Sequence, residues 1–408
     1  MPDSSRHWRR NMYVCLFGSF TNVTAMTLLL PFLPLYVEQL GVQGHAAIVQ
    51  WSGIAYGITF LGAGLMAPVW GKVADLYGRK LILIRACLAM AVCMSLIGVA
   101  ENIYQLVGLR LLAGVLGGYA SGAVVLVATQ TPKEQAGWAL GTLSIGTMAG
   151  TLLGPLVGGV LPGLIGLRGT FFLAGGVIFL AFLATVFLIR EDRQAGPKGA
   201  ARVTGSAWSM IPDRRPVIAM LGTAMLLMLA NMSIEPIITV YVAQLVPPGG
   251  DVVFTAGLVM AASAIGSILA ASRLGRLADR IGSWNLITIC LLACGLLLIP
   301  QAFVTESWQL IGLRFLMGLS LAGLLPAIAA TIRHKVPQGA AGTILGYNTS
   351  AQYAGQVLGP LAGGFVGGHV GMQAVFLATA LIMFAGAACN WIVSRQASAR
   401  APAGLQKP

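Results

Sequence analysis

Three charged side chains, Arg110, Glu235 and Arg314, stand well inside long apolar runs of this sequence. A charge at the centre of an apolar helix costs about 2.5–3.5 kcal/mol on insertion scales, so each requires a partner or a wet cavity. Counted inward from the ends of their runs at about 1.5 Å per residue, all three fall roughly 10–15 Å deep, where they could share one layer. The arginines occupy equivalent places in QLVGLRLLAG (105–114) and QLIGLRFLMG (309–318), whereas the counterpart of Glu235 is Leu30. A carboxyl group in such a setting can take up and release a proton, its charge state set by desolvation against any neighbouring guanidinium. Glu235, with Arg110 and Arg314 beside it, is therefore the leading candidate for a proton-carrying group. Pro236 follows it and frees a backbone carbonyl, adding polarity at the same place. The plainer alternatives are a structural Glu–Arg bridge and a glutamate that reaches back to the outer face.

A second constellation offers binding rather than proton chemistry. Met228, Asn231, Met232 and Glu235 recur at helical spacing and share one face. Asn348, Gln352 and Gln356 stripe another, opposite Thr147 and Thr151 at the equivalent positions of an earlier segment; Asn22, Met26 and Tyr119 are further candidates. Flexible thioethers beside a few hydrogen-bonding groups suit a cavity that accepts varied amphipathic small molecules. Each residue taken singly also serves as ordinary helix packing.

The elements that must position these groups follow from composition. Of 408 residues, 57% are hydrophobic and 9% charged, with a mean hydropathy of +0.83. Soluble domains carry about a quarter of their residues as charges, so most of this surface faces lipid. At about 20 apolar residues per crossing the chain holds roughly twelve helical spans and no separate soluble domain. They are expected near 12–36, 48–70, 81–100, 103–128, 138–161, 168–189, 216–245, 252–272, 284–304, 307–331, 341–366 and 373–394. The division is an N-terminal bundle (1–190), a linker rich in Gly, Pro and charge (191–215), a C-terminal bundle (216–394) and a tail (395–408). The first apolar run is too long for a cleaved leader and reads as a retained span.

The net charge of +13 forms no single basic patch, so nucleic acid is not an expected partner. All but three of the 25 Lys and Arg lie in or beside the termini and alternate loops; the exceptions are Arg110, Arg168 and Arg314. That asymmetry predicts both termini in the cytoplasm. The six cysteines fall in apolar runs as small hydrophobes, with no ligand-like His or acid beside Cys290 and Cys294, and neither a metal nor a disulfide is expected. No phosphate loop or nucleophile–base pair points to an ATP-driven pump or an enzyme.

The two halves repeat each other. LPFLPLYVEQLG (30–41) aligns with EPIITVYVAQLV (235–246), and AGTLLGPLVGG (149–159) with AGQVLGPLAGG (354–364). GKVADLYGRK (71–80) aligns with GRLADRIGSW (275–284), 204 residues on. Register kept over such a length is duplication, and two parallel six-helix repeats are the plan of a carrier that rocks about a midplane site. Gly146, Gly150, Gly154 and Gly158 form a ladder with Pro155 and Gly159; Gly355, Gly359 and Gly363 form another with Pro360. Small residues at this spacing let a second backbone approach closely. Packing alone is one reading, and a smooth leak-resistant surface between the halves is the other.

G-x-x-A-D-x-x-G-R-K, the paired L-x-x-x-R-x-x-x-G segments and G-x-x-x-G-P-x-x-G-G resemble the major facilitator superfamily, specifically its twelve-helix drug:proton antiporters. The resemblance covers nearly the whole chain. It implies an all-α polytopic membrane protein of two pseudo-symmetric six-helix bundles in a bacterial inner membrane, expected as a monomer. It further implies export of amphipathic substrates in exchange for protons, with the proton gradient as energy source and no cofactor. A carrier for a single metabolite and a non-transporting receptor are the alternatives. By analogy, Asp75 would meet the start of the eleventh span and Asp279 the start of the fifth, latching the cytoplasmic side shut. Gly71, Gly78, Gly275 and Gly282 would permit the turns, with Arg79 and Lys80 anchored at headgroups. The second copy departs from the pattern at Ser283 and Trp284, and the first span carries Asn22 where many such antiporters have an acid.

Overall fold

A computed structural model describes residues 7–191, 207–211 and 213–399, and among these every regular element is helical. The helices are α1 (Trp8–Gln39), α2 (His45–Tyr77), α3 (Arg79–Ile97) and α4 (Ile103–Gln130). The 53-residue stretch Ala136–Leu188 is interrupted at Gly166, whose φ of 75° suits glycine, and supplies α5 (136–165) and α6 (167–188). It doubles back there: Gly146 packs on Leu16 of α1, while Arg190, just past α6, is bonded to Asn11 near the α1 start. The second set is α7 (Arg215–Leu245), α8 (Val252–Ile281), α9 (Ser283–Gln301), α10 (Ser307–Lys335), α11 (Gln338–His369) and α12 (Met372–Ala399). Ten of these stretches are long and apolar enough to cross a membrane; the Gly166 break and the more polar α11 bring the crossings to twelve. This is a multi-pass membrane protein with both described ends on one face. The expected linker lies largely outside the described residues, as does the tail beyond residue 399.

Each half has its own core, one built from Trp8 to Ile189 and the other from Ile211 to Ala387 with Val49 added. The duplication extends to side-chain geometry. Both α1 and α7 break into a turn of 3₁₀-helix, at Leu30–Phe32 and Glu235–Ile237, one residue either side of Pro31 and Pro236. Beyond each break a buried tyrosine hydroxyl donates to a carbonyl, Tyr36 to Ile97 and Tyr241 to Gln301. Their rings meet Phe171 at 4.9 Å and 51°, and Phe376 at 5.0 Å and 53°.

The glycine ladders turn out to serve each bundle internally. Gly146, Gly150 and Gly154 lie against the Leu16, Phe20 and Thr24 carbonyls of α1, where an added Cβ would sit 2.9 Å from each oxygen; at Gly158 it would collide with Leu28. Gly355, Gly359 and Gly363 bring α11 onto Met225, Leu229 and Ser233 of α7 in the same way. The reading of these ladders as the surface between the halves is thus corrected. A one-residue neighbour makes the difference: Gly159 and the Pro155 carbonyl face α8 at Phe254 and Gly257, and the Pro360 carbonyl faces Gly53 of α2.

These seam contacts are confined to one side. Along α2 and α11 they run from Ala46 against Gly368, through Val49 against Gly364, to Gly64 against Tyr353. Among the described glycines no such approach is seen toward the face that carries the chain ends, at Gly71, Gly137, Gly275 and Gly342. The close packing of the halves thus lies toward the far face and forms a seal there.

Of the expected latch little is described. Asp279 is exposed, and the side chain of Asp75 lies outside the described residues. The segments read as turns are helical through Tyr77 and Ile281; only Gly78 (φ 96°) and Gly282 (φ 84°) break the chain. The backbone N–H groups of Arg79 and Lys80 are engaged by Glu191, at 2.8 and 2.7 Å, which caps α3 from the end of α6. Glu191 is a partner that the sequence did not reveal.

Candidate functional site

On the open side of the seal lies a cavity of about 260 Å³ between the halves. It is walled by Met148 and Thr151 of α5, Met228, Asn231 and Glu235 of α7, Met260, Ser263 and Ser267 of α8, and Leu321 and Leu325 of α10. Three thioethers face a handful of hydroxyl, amide and carboxylate groups. Such a surface adapts to ligands of different shape and holds them by a few directional bonds.

Glu235 sits where this wall meets the seal, half-buried at the first residue of the 3₁₀ turn that interrupts α7. Its Oε1 accepts from Asn231 Nδ2 at 3.2 Å, one helical turn earlier. Its Oε2 accepts from the Tyr56 hydroxyl across the seam at 3.5 Å. Arg110 lies on the other side of that phenol, its Cζ 5.7 Å from the ring centroid and its Nε donating to the Ala55 carbonyl at 3.3 Å. Arg314 stands 6.0 Å over the Phe376 ring and acts on Glu235 through space, without ion-pair contact among the described residues. Both arginines are almost wholly buried and keep guanidinium nitrogens without a protein partner. Glu235 and Arg110 thus meet at the Tyr56 side chain, while Arg314 acts on Glu235 through space; among the described residues no salt bridge joins the three.

Of the residues expected to line the cavity, the structure brings Met228, Asn231 and Glu235 together there. Gln356 reaches Met228 Sδ at 3.5 Å from behind, and Met232 packs at the seam against the core of the first half. Asn22, Met26 and Tyr119 belong to that core instead. Asn22 donates to the Gly18 carbonyl and Cys87 Sγ, and the Tyr119 hydroxyl meets Thr185 Oγ1 at 3.1 Å. Asn348 is buried in the second half with its Oδ1 unbonded, and Gln352 is half-buried; neither borders the cavity. Cys389 is exposed, unlike the five buried cysteines. Tyr56, Met148, Met260 and Ser263 went unnoticed in the sequence. A tyrosine between Gly53 and Gly57 in mid-span was the available signal for the first, and the others look like ordinary span residues until the helices are packed.

Paired bundles around a half-sealed, part-polar cavity make a membrane carrier scaffold, and the Major Facilitator Superfamily profile matches residues 15–299 and 250–407. The chain belongs to that superfamily. It is 41% identical over 395 residues to the multidrug resistance protein MdtG of Proteus mirabilis, covering 97% of this chain and 98% of that one. With MdtG of Dickeya zeae the identity is 42% over 397 residues, covering 96% of each. Among solved structures, a bacterial homologue of the human lysosomal transporter Spinster superposes with a TM-score of 0.77 at 16% identity, over 97% of this chain and 98% of that one. The nucleoside transporter NupG superposes at 0.75 and 16%, over 94% and 99%. At such identities the structural likeness speaks for the fold.

Proposed function

We propose that this protein is a multidrug exporter of the bacterial inner membrane that expels amphipathic compounds in exchange for protons by alternating access. The terminus-bearing face is cytoplasmic in this reading, so the present state offers its cavity to the cell interior. The observation that carries the proposal is the cavity itself: a methionine-rich wall with one intramembrane carboxylate, at the boundary between the sealed and open parts of the seam. The MdtG relatives support the substrate class, and the concentration of Lys and Arg at the termini and on the alternate loops of the same side supports the orientation. One charge moved through 100 mV supplies about 2.3 kcal/mol, sufficient for roughly a fifty-fold gradient.

The test is expression in an efflux-deficient host against a panel of unrelated amphipathic compounds, with inside-out vesicles from the same cells. Export predicts raised tolerance to several compounds and substrate-dependent collapse of a proton gradient, both lost in Glu235→Gln. Tolerance to one compound only would favour a single-metabolite carrier. Binding without counterflow would favour a receptor.

A further inference from the structure

We propose that Tyr56 is the positioning residue that ties proton exchange on Glu235 to closure of the far face; this rests on the proton-antiport reading above. Tyr56 belongs to the first half and Glu235 to the second, and their 3.5 Å hydrogen bond crosses the seam. Each partner is fixed to its own half. The phenol is 3% exposed, edge-packed on Phe60 with ring centroids 5.3 Å apart and flanked by Arg110. The carboxylate is held by Asn231 and by the turn that Pro236 imposes on α7.

The bond exists only while the seal exists. Gly53 and Gly57, three residues before Tyr56 and one after it, are where the α2 backbone presses on Pro360 and Val357 of α11. Opening the far face separates these backbones and carries the hydroxyl away from Glu235. A phenol O–H binds a carboxylate more strongly than a neutral carboxyl group. Closing the far face and releasing the Glu235 proton to the open cavity therefore favour each other, a reciprocal linkage between gate and ion. The other groups that act on Glu235 are Arg314 through space and Asn231 on its own helix, while Arg110 faces the Tyr56 phenol; the α5 and α8 walls present Thr151 and Ser263, which do not titrate. The tie is made once. At the repeat-related positions stand Met260 and Leu30, which have neither hydroxyl nor carboxylate.

The test uses Val49→Cys, a small change at a fully buried seam position against Gly364 and Gly367. The full-length protein in sealed membranes is labelled from the far face with an impermeant maleimide between pH 5.5 and 8; protein with Val49 intact gives the background, and each rate is divided by that of the exposed position His45→Cys at the same pH, which removes the thiol's own pH dependence. Labelling is expected to rise about fivefold from high to low pH, and the rise to shrink below about twofold when Tyr56→Phe or Glu235→Gln is added. A thermal midpoint and size-exclusion elution matching the parent's should show that the Tyr56→Phe protein is folded. An undiminished pH dependence in Tyr56→Phe overturns the role of Tyr56 alone. PH dependence absent from the parent, or preserved in Glu235→Gln, overturns the proton reading of Glu235 and this inference with it.

Discussion

Gly257→Ala should move the protein between its states without unfolding it. A methyl at Gly257 would collide with the Pro155 carbonyl of α5 and lie 3.3 Å from Gly159 Cα, both backbone atoms that cannot swing aside. Overpacking of this kind costs about 1–3 kcal/mol. The contact joins α8 to α5 across the seam, so the cost falls on the far-face-sealed state and is relieved when that face opens. At about 1.4 kcal/mol per tenfold, the open-to-sealed ratio should rise roughly 5- to 150-fold. Gly158→Ala is the control of equal chemistry. Its methyl would collide with Leu28 of α1 inside the first bundle, a contact that both states need, so it should lower stability and leave the ratio alone. Spin labels replacing the exposed His45 and His369, next to the Ala46–Gly368 contact, read the far-face distance directly. Gly257→Ala should transfer population to a longer distance. An unchanged distribution in Gly257→Ala, or the same shift in Gly158→Ala, would refute the assignment of seam and ladder.

Glu191→Ala removes the acceptor for two backbone N–H groups at the start of α3 and should cost about 1–2 kcal/mol, read as a lower thermal midpoint in detergent. Tyr241→Phe removes the hydroxyl donor of the buried Gln301 carbonyl and should cost about 1–2 kcal/mol, whereas Tyr36→Phe should cost about 1 kcal/mol because the Ile97 carbonyl keeps the Ala100 N–H. They lie in separate cores, so the double variant should show the sum in the same melt. Met260→Ala enlarges one wall of the cavity and should change relative tolerance between compounds several-fold, more than it changes total export, when a compound panel is compared in cells.

Much of this architecture was legible because its causes are local or periodic. Apolar runs gave the spans, and a register kept between Pro31 and Pro236 or Tyr36 and Tyr241 exposed the duplication before any contact was seen. The apolar setting of Arg110, Glu235 and Arg314 marked them as groups in need of partners. What failed was direction around a helix. Gly158 and Gly159 are adjacent glycines in one motif, yet one packs on α1 and the other on α8. Asn22 and Tyr119 have the polarity of ligand contacts but are consumed by local bonds within the first bundle. Tyr56 matters only because the α2 and α11 backbones touch beside it, a relation between residues some 300 apart that no spacing along the chain encodes.

The central claim, that one cavity is reached from opposite faces in turn, is tested most directly by labelling Ser267→Cys in the cavity and Val49→Cys in the seal from each side of sealed membranes. At rest, Ser267→Cys should react from the terminus-bearing face and Val49→Cys should stay silent. During ethidium turnover under a proton gradient, Val49→Cys should become reactive from the far face while Ser267→Cys reacts more slowly from the other. A seal at Val49 that stays closed to the far face throughout turnover would contradict the account.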